Sequence, residues 1–142
     1  MNGSSECVVD ASALLATVFE EPVSEPARVA VSSFTTPIAP YVLQAELVSA
    51  LSRKVRHNIR SLEDVRDLFV SAFAFPVRLV SSPRLHTIAF ELSCRLNHPS
   101  YDCYYLALAI ERDCTLLTID RGLARAAQQA GFGEYVELLG ES

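Results

Sequence analysis

Apolar residues follow two alternating rhythms along this chain: short unbroken runs, and longer stretches with apolar positions every three or four residues. The first run, Cys7-Val8-Val9, stops at Asp10 and reads as a strand. A helix is expected over roughly residues 12–19. Asp10 or Ser12 would cap it, because short polar side chains accept hydrogen bonds from the first free amides. Ser24-Glu25-Pro26 opens a second helix, with Pro26 suited to its first turn. Pro37-Ile38-Ala39-Pro40 fits a brief strand. Leu43, Leu47, Leu51 and Val55 then recur every four residues, the mark of an amphipathic helix. Ser61 caps a further helix, with Asp64 in the place of the usual capping-box partner, and Leu62, Val65, Leu68, Phe69, Ala72 and Phe73 continue it.

The second half repeats the alternation. Residues 77–80 read as a strand. Ser82-Pro83 opens a helix with Leu85, Ile88, Ala89 and Leu92 facing inward. Asn97-His98-Pro99 breaks it, and Ser100 is expected to cap the next, which runs through Tyr104, Leu106, Leu108 and Ile110. Residues 115–119 form a strand, residues 122–130 a short helix closed by Gly131, and residues 135–139 a last strand. Neither an internal repeat nor a linker interrupts this order. Short apolar strands alternating with helices predict an α/β fold, a parallel sheet covered on both faces.

Ligands of such sheets bind beyond the carboxyl ends of the strands. Asp10 follows the first strand directly, and Asp120 follows the strand over residues 115–119. If these strands are parallel neighbours, both carboxylates emerge at one edge. Asp102 lies in the first turn of its helix, where the dipole favours negative charge. Glu46, between Leu43 and Leu47 on an apolar helix side, needs a partner for its charge, and a cation is the simplest. A strict up-and-down count sends Asp102 to the opposite edge unless the first of the two helices before it lies across the sheet. Each acid alone reads more simply as a cap or a solvated side chain; the signal is the conjunction. Gathered carboxylates suit Mg²⁺, which takes oxygen ligands and keeps several waters. Such an ion activates water for attack on phosphorus without a His or Cys nucleophile. Ser12 and Thr118, two residues from Asp10 and Asp120, are placed to orient those carboxylates or a bound water.

Composition narrows the picture. With 142 residues, half of them hydrophobic and 20% charged, the chain suits a single domain, residues 1–142, with a proper core. Its net charge of −5 is unusual for a protein that meets nucleic acid, but setting aside the four candidate acids leaves 13 acids against 12 bases. Nonspecific binding to long nucleic acid is therefore expected to be weak. The densest basic stretch, Arg53 to Arg60, reads first as cations at a helix end; Arg53 and Arg56 are also candidates to guide RNA, as is Arg121 beside Asp120. No apolar run approaches a membrane span, and the first residues lack the parts of a signal peptide, so a cytoplasmic protein is expected. Cys7, Cys94, Cys103 and Cys114 form no CxxC pair and read as reduced, mostly buried thiols. Cys94, His98 and Cys103 match no common zinc spacing.

Four segments carry a family resemblance. They are Val8-Val9-Asp10-Ala11-Ser12-Ala13-Leu14, Glu46-Leu47-Val48-Ser49-Ala50-Leu51, Tyr101-Asp102-Cys103-Tyr104-Tyr105-Leu106-Ala107-Leu108-Ala109 and Leu116-Leu117-Thr118-Ile119-Asp120-Arg121-Gly122-Leu123-Ala124. In this order and spacing the chain resembles the PIN-domain nucleases, and within them the VapC-type toxins of toxin–antitoxin pairs. The resemblance implies a three-layer α/β/α sandwich with a central parallel sheet, Mg²⁺- or Mn²⁺-dependent endoribonuclease activity, a homodimer and a cognate antitoxin. By position, Asp10, Glu46, Asp102 and Asp120 match the family's acids; Cys103 departs from the Ala more usual there. Haloacid dehalogenase phosphatases need a second Asp where Ser12 stands, and receiver domains need paired early acids and a late Lys, which this chain lacks. The alternatives within the family are a stand-alone RNA-processing nuclease and a non-catalytic binding module.

Overall fold

The computed structural model describes residues 5–140. Its apolar runs become five strands, β1 (Glu6–Val9), β2 (Thr36–Pro40), β3 (Arg78–Val80), β4 (Thr115–Thr118) and β5 (Val136–Leu138). All pair in parallel, in the order β3-β2-β1-β4-β5. The connections carry α1 (Ala11–Val18), α2 (Ser24–Ser32), α3 (Val42–Arg56), α4 (Leu62–Ala74), α5 (Pro83–Leu96), α6 (Ser100–Arg112) and α7 (Arg121–Gln129). The interior strands β1, β2 and β4 are buried on both faces over most of their length, which is why they read as apolar runs, while the edge strands β3 and β5 are only partly buried. Val8 and Leu116 join one apolar cluster with Leu43 of α3 and Leu106 of α6; Cys7, Val9 and Leu117 join a second with Ala27 and Val31 of α2.

The periodic helix is α3, whose Leu43, Leu47 and Leu51 are all buried. Each such side chain contributes roughly 1.5–3 kcal/mol of burial. On α4 the apolar set divides. Val65 and Ala72 are buried, while Leu62, Phe69 and Phe73 remain substantially exposed, the last two with rings stacked 4.5 Å apart. Two prolines in β2, an interior strand, are tolerated for a geometric reason. Pro37 and Pro40 are three residues apart, and strand amides alternate sides, so each neighbouring ladder loses only one donor.

Two local expectations need correction. Ser100 does not hold the cap of α6: Pro99 holds that position with φ −52° and no side-chain cap bond, and Ser100 is already inside the first turn. The last strand begins at Val136, because Gly133–Tyr135 tightens into a 3-10 turn.

The position of Asp102 is settled by how α5 and α6 pack. Ser82, at the start of α5, donates to Glu111 near the end of α6 at 3.0 Å, so the two helices run antiparallel. Arg112, the last residue of α6, meets Glu6 at the start of β1. The start of α6, and Asp102 with it, is thereby carried to the carboxyl edge of the sheet.

Candidate active site

β1 and β4 are adjacent, with Val9 opposite Leu117, and this is the point where the strand order reverses. Chains leaving the two strands diverge there and open a crevice. Asp10 stands at the mouth of β1 and caps α1, its Oδ1 accepting from the Ala13 amide at 2.8 Å. The Ser12 hydroxyl donates to the same oxygen at 2.7 Å, and the Thr118 hydroxyl donates to Oδ2. Asp10 is only 5% exposed. Burial pushes its carboxyl up from the usual range to about 6; the three donors pull it back, and the charge of Asp102 adds to the rise. Asp120 caps α7 in the same manner, accepting from the Leu123 amide at 3.1 Å. Capping and a place in the crevice are therefore compatible, since a cap spends only one lone pair of the carboxylate.

Both hydroxyls serve Asp10. Thr118 Oγ1 also accepts from the Asp120 amide at 3.0 Å, and Ser12 Oγ from the Ile119 amide at 3.2 Å. Through these two hydroxyls the end of β4 is stitched to Asp10 and the start of α1.

Glu46, on the second turn of α3, and Asp102 approach from the flank. Tyr105, one turn beyond Asp102 on α6 and fully buried, donates its phenol to Glu46 Oε1 at 2.6 Å. Burial raises the Glu46 carboxyl above its usual range, the Tyr105 bond opposes this, and the charge of Asp102 adds to it. Burial also raises Asp102; a bond from His98 opposes the rise and the charge of Asp120 reinforces it. His98 Nε2 lies 3.0 Å from Asp102 Oδ2.

Asp10, Glu46, Asp102 and Asp120 all line one cleft of about 670 Å³. Among the described residues, His98, Asp102 and Asp120 each offer a ligand atom within 4.8 Å of the others. Asp10 and Glu46 border the cleft outside that group. Partly desolvated carboxylates that repel one another fit a divalent cation of oxygen preference, which would relieve both costs. The donor chemistry of the cleft suits Mg²⁺ or Mn²⁺.

The basic candidates separate. Arg53 lines the cleft, whereas Arg56 bonds Ser52 at 3.0 Å on the surface of α3. Arg53, Lys54 and Arg56 occupy the last turn of α3, where they complement its dipole. Arg121 follows Asp120 into α7 and borders a second, smaller cleft. Tyr105 was not a candidate from sequence, and His98 was considered only in a zinc trio with Cys94 and Cys103. Tyr105 had a readable signal, three residues after Asp102 on one helix. The pairing of His98 with Asp102 was hidden by the helix break between them.

Comparison with known proteins agrees with this architecture. The PIN domain family model matches residues 7–129. Ribonuclease VapC1 of Mycobacterium tuberculosis, in strains CDC 1551 / Oshkosh and ATCC 25618 / H37Rv, is 35% identical over 122 residues, covering 85% of this chain and 90% of the relative. The crystal structure of PAE2754 from Pyrobaculum aerophilum superposes with a TM-score of 0.64 at 19% identity, over 85% of this chain and 78% of that one. The crystal structure of VapBC2 from Rickettsia felis, bound to a DNA fragment from their promoter, does so with a TM-score of 0.66 at 13% identity, over 94% and 98%. At those identities the two structures speak for the fold. The family match and the 35% relative go further: this chain belongs to the PIN domain family, among its VapC-type members.

Proposed function

We propose that this chain is a metal-dependent endoribonuclease and the toxin of a toxin–antitoxin pair. The observation that carries the reading is the meeting of Asp10, Glu46, Asp102 and Asp120 in one cleft at the carboxyl edge of the sheet. These four would hold Mg²⁺ or Mn²⁺. A bound ion of this kind activates water and neutralises charge on a phosphodiester and its leaving oxygen. The protein's own residues do the rest. Ser12, Thr118 and the Ala13 amide fix Asp10 by both oxygens, and Tyr105 fixes Glu46. Asp10 and Glu46, both raised by burial, stand at the cleft wall, where a bound cation would favour their ionised form. Arg53 on the wall suits RNA phosphates; Arg121, beside Asp120 but bordering the second cleft, would meet RNA only where it runs past the site, and Arg56 lies outside the cleft.

The likeness to Ribonuclease VapC1 supports RNA as the substrate, and the likeness to a VapBC complex supports an antitoxin partner. The exposed Leu62, Phe69, Val70 and Phe73 of α4, with Phe90 of α5, offer apolar surface for that partner and for a homodimer. None of the described helices is long and apolar enough to cross a membrane, which is compatible with a cytoplasmic site of action. The test is cleavage of structured RNA by protein purified free of inhibitor. Cleavage with Mn²⁺ or Mg²⁺ that stops in EDTA is expected; activity persisting in EDTA overturns the mechanism.

A further inference from the structure

The loop between α5 and α6 holds His98 more firmly than a connection requires. Asn97 ends α5 in the left-handed conformation, with φ 51° and ψ 51°. The His98 amide donates to the Ser93 carbonyl at 3.2 Å, and the Ser93 hydroxyl donates back to the His98 carbonyl at 2.7 Å. Pro99 follows and restricts His98 further. Both backbone groups of His98 are thus tied to one turn of α5, and the direction of its side chain is set before α6 begins.

The ring is directed between the starts of two helices. Nε2 meets Asp102 Oδ2, and the imidazole side chain is only 15% exposed. On the other side lies Gly122, in the first turn of α7. A Cβ there would stand 3.8 Å from His98 Cε1 and 3.3 Å from Asp120 Oδ1. A side chain at 122 would touch the imidazole only at ordinary van der Waals distance, but would press on the Asp120 carboxylate.

We infer that His98 is a positioning residue: it donates Nε2–H to Asp102 Oδ2 and so fixes which oxygen of Asp102 faces the cleft. This rests on the metal-dependent reading above. An unrestrained carboxylate rotates about its last bond and loses that freedom when it takes a ligand. A donor anchored by its own backbone removes most of the cost in advance. The nitrogen nearest the acids is already committed to Asp102, so His98 acts through Asp102 and is not itself a ligand. Partners of this kind usually govern metal affinity by about 10- to 100-fold.

The test compares the full-length protein with His98→Leu and His98→Gln. Gln keeps an N–H donor near the place of Nε2; Leu keeps volume but no donor. Mn²⁺ binding is measured by calorimetry, and the ring nitrogens of the parent protein are followed by ¹⁵N NMR during addition of Mg²⁺. Affinity is expected to fall about 10- to 100-fold in His98→Leu and to recover most of that loss in His98→Gln. In the parent, His98 is expected to carry its proton on Nε2 and to keep it as Mg²⁺ is added. Affinity within about twofold of the parent in a folded His98→Leu protein overturns the inference, being far below the usual effect of such partners. So does loss of the Nε2 proton on adding Mg²⁺, which marks a direct ligand, and this result needs no variant to fold. A parent protein that binds no Mn²⁺ at all overturns the metal-dependent reading itself, and the role of His98 with it.

Discussion

Asp102→Asn separates a site acid from an ordinary helix-start acid. Asp102 and Asp120 offer oxygens within 4.8 Å of each other. Two full charges at that distance repel by ~0.9 kcal/mol in bulk water and ~3.5 kcal/mol at an effective dielectric of 20. The Asp102 side chain is 29% exposed, so solvent screening favours the lower part of that range. Against this, Asp102 lies in the first turn of α6, where a negative charge gains about 0.3–1 kcal/mol from the helix dipole. Repulsion exceeds or matches the dipole, and burial of the charge adds to it. Asn keeps the size and still accepts the bond from His98. The metal-free variant should therefore be as stable as the parent or more so, by roughly 0.5–2 kcal/mol. Mg²⁺ should raise the melting temperature of the parent, since it binds only the folded form, and that of the variant much less. Cleavage of RNA should be lost. Thermal melts of both proteins, in EDTA and in Mg²⁺, decide the matter. A variant that loses a few tenths to ~1 kcal/mol, keeps its response to Mg²⁺ and still cuts RNA would refute the reasoning, because that is the signature of a dipole contact alone.

Other perturbations read out neighbouring parts of the site. Asp10 is raised in the folded protein to about 6, so its contribution to metal-free stability is present below the ordinary carboxyl range and is lost as pH rises through about 6. Melting in EDTA should accordingly rise as pH falls from 7 toward 5, and this slope should flatten in Asp10→Asn; equal slopes would contradict the assignment. Tyr105→Phe keeps the buried ring but removes the donor that opposes the rise in the Glu46 carboxyl. It should cost about 1.5–3 kcal/mol, the worth of a bond to a charged group, and move the acidic limb of the cleavage pH profile upward, which a packing defect alone would leave in place. Arg53→Ala should lower kcat/KM for RNA about tenfold, while Arg56→Ala, outside the cleft, should change it less than threefold. Equal effects would place the RNA path elsewhere.

What could be read from the amino-acid order was whatever depends on local chemistry. Asp10 and Asp120 were legible because each ends an apolar strand and begins a helix, and parallel pairing of β1 with β4 then puts them at one edge. Asp102 was legible as a helix-start acid but not in its position, which depends on α5 and α6 folding back on each other as an antiparallel pair. The split face of α4 was hidden for a related reason: period alone cannot say which apolar residues a neighbour will cover, and Phe69 and Phe73 are left showing. His98 lay furthest from sight. Its contact with Asp102 crosses a proline and depends on a left-handed Asn97 and a reciprocal pair of bonds with Ser93. No periodicity encodes those.

The central claim is that the four acids form one divalent-cation site. Crystals of the protein soaked in Mn²⁺, with data collected to reveal the anomalous signal of that ion, test it most directly. The account predicts Mn²⁺ in the cleft, with carboxylate oxygens of Asp102 and Asp120 at about 2.1 Å, a distance typical for small divalent ions, and Asp10 and Glu46 bordering the ion directly or through water. Mn²⁺ bound elsewhere on the chain, or a cleft that stays free of the ion at millimolar concentration, would contradict it.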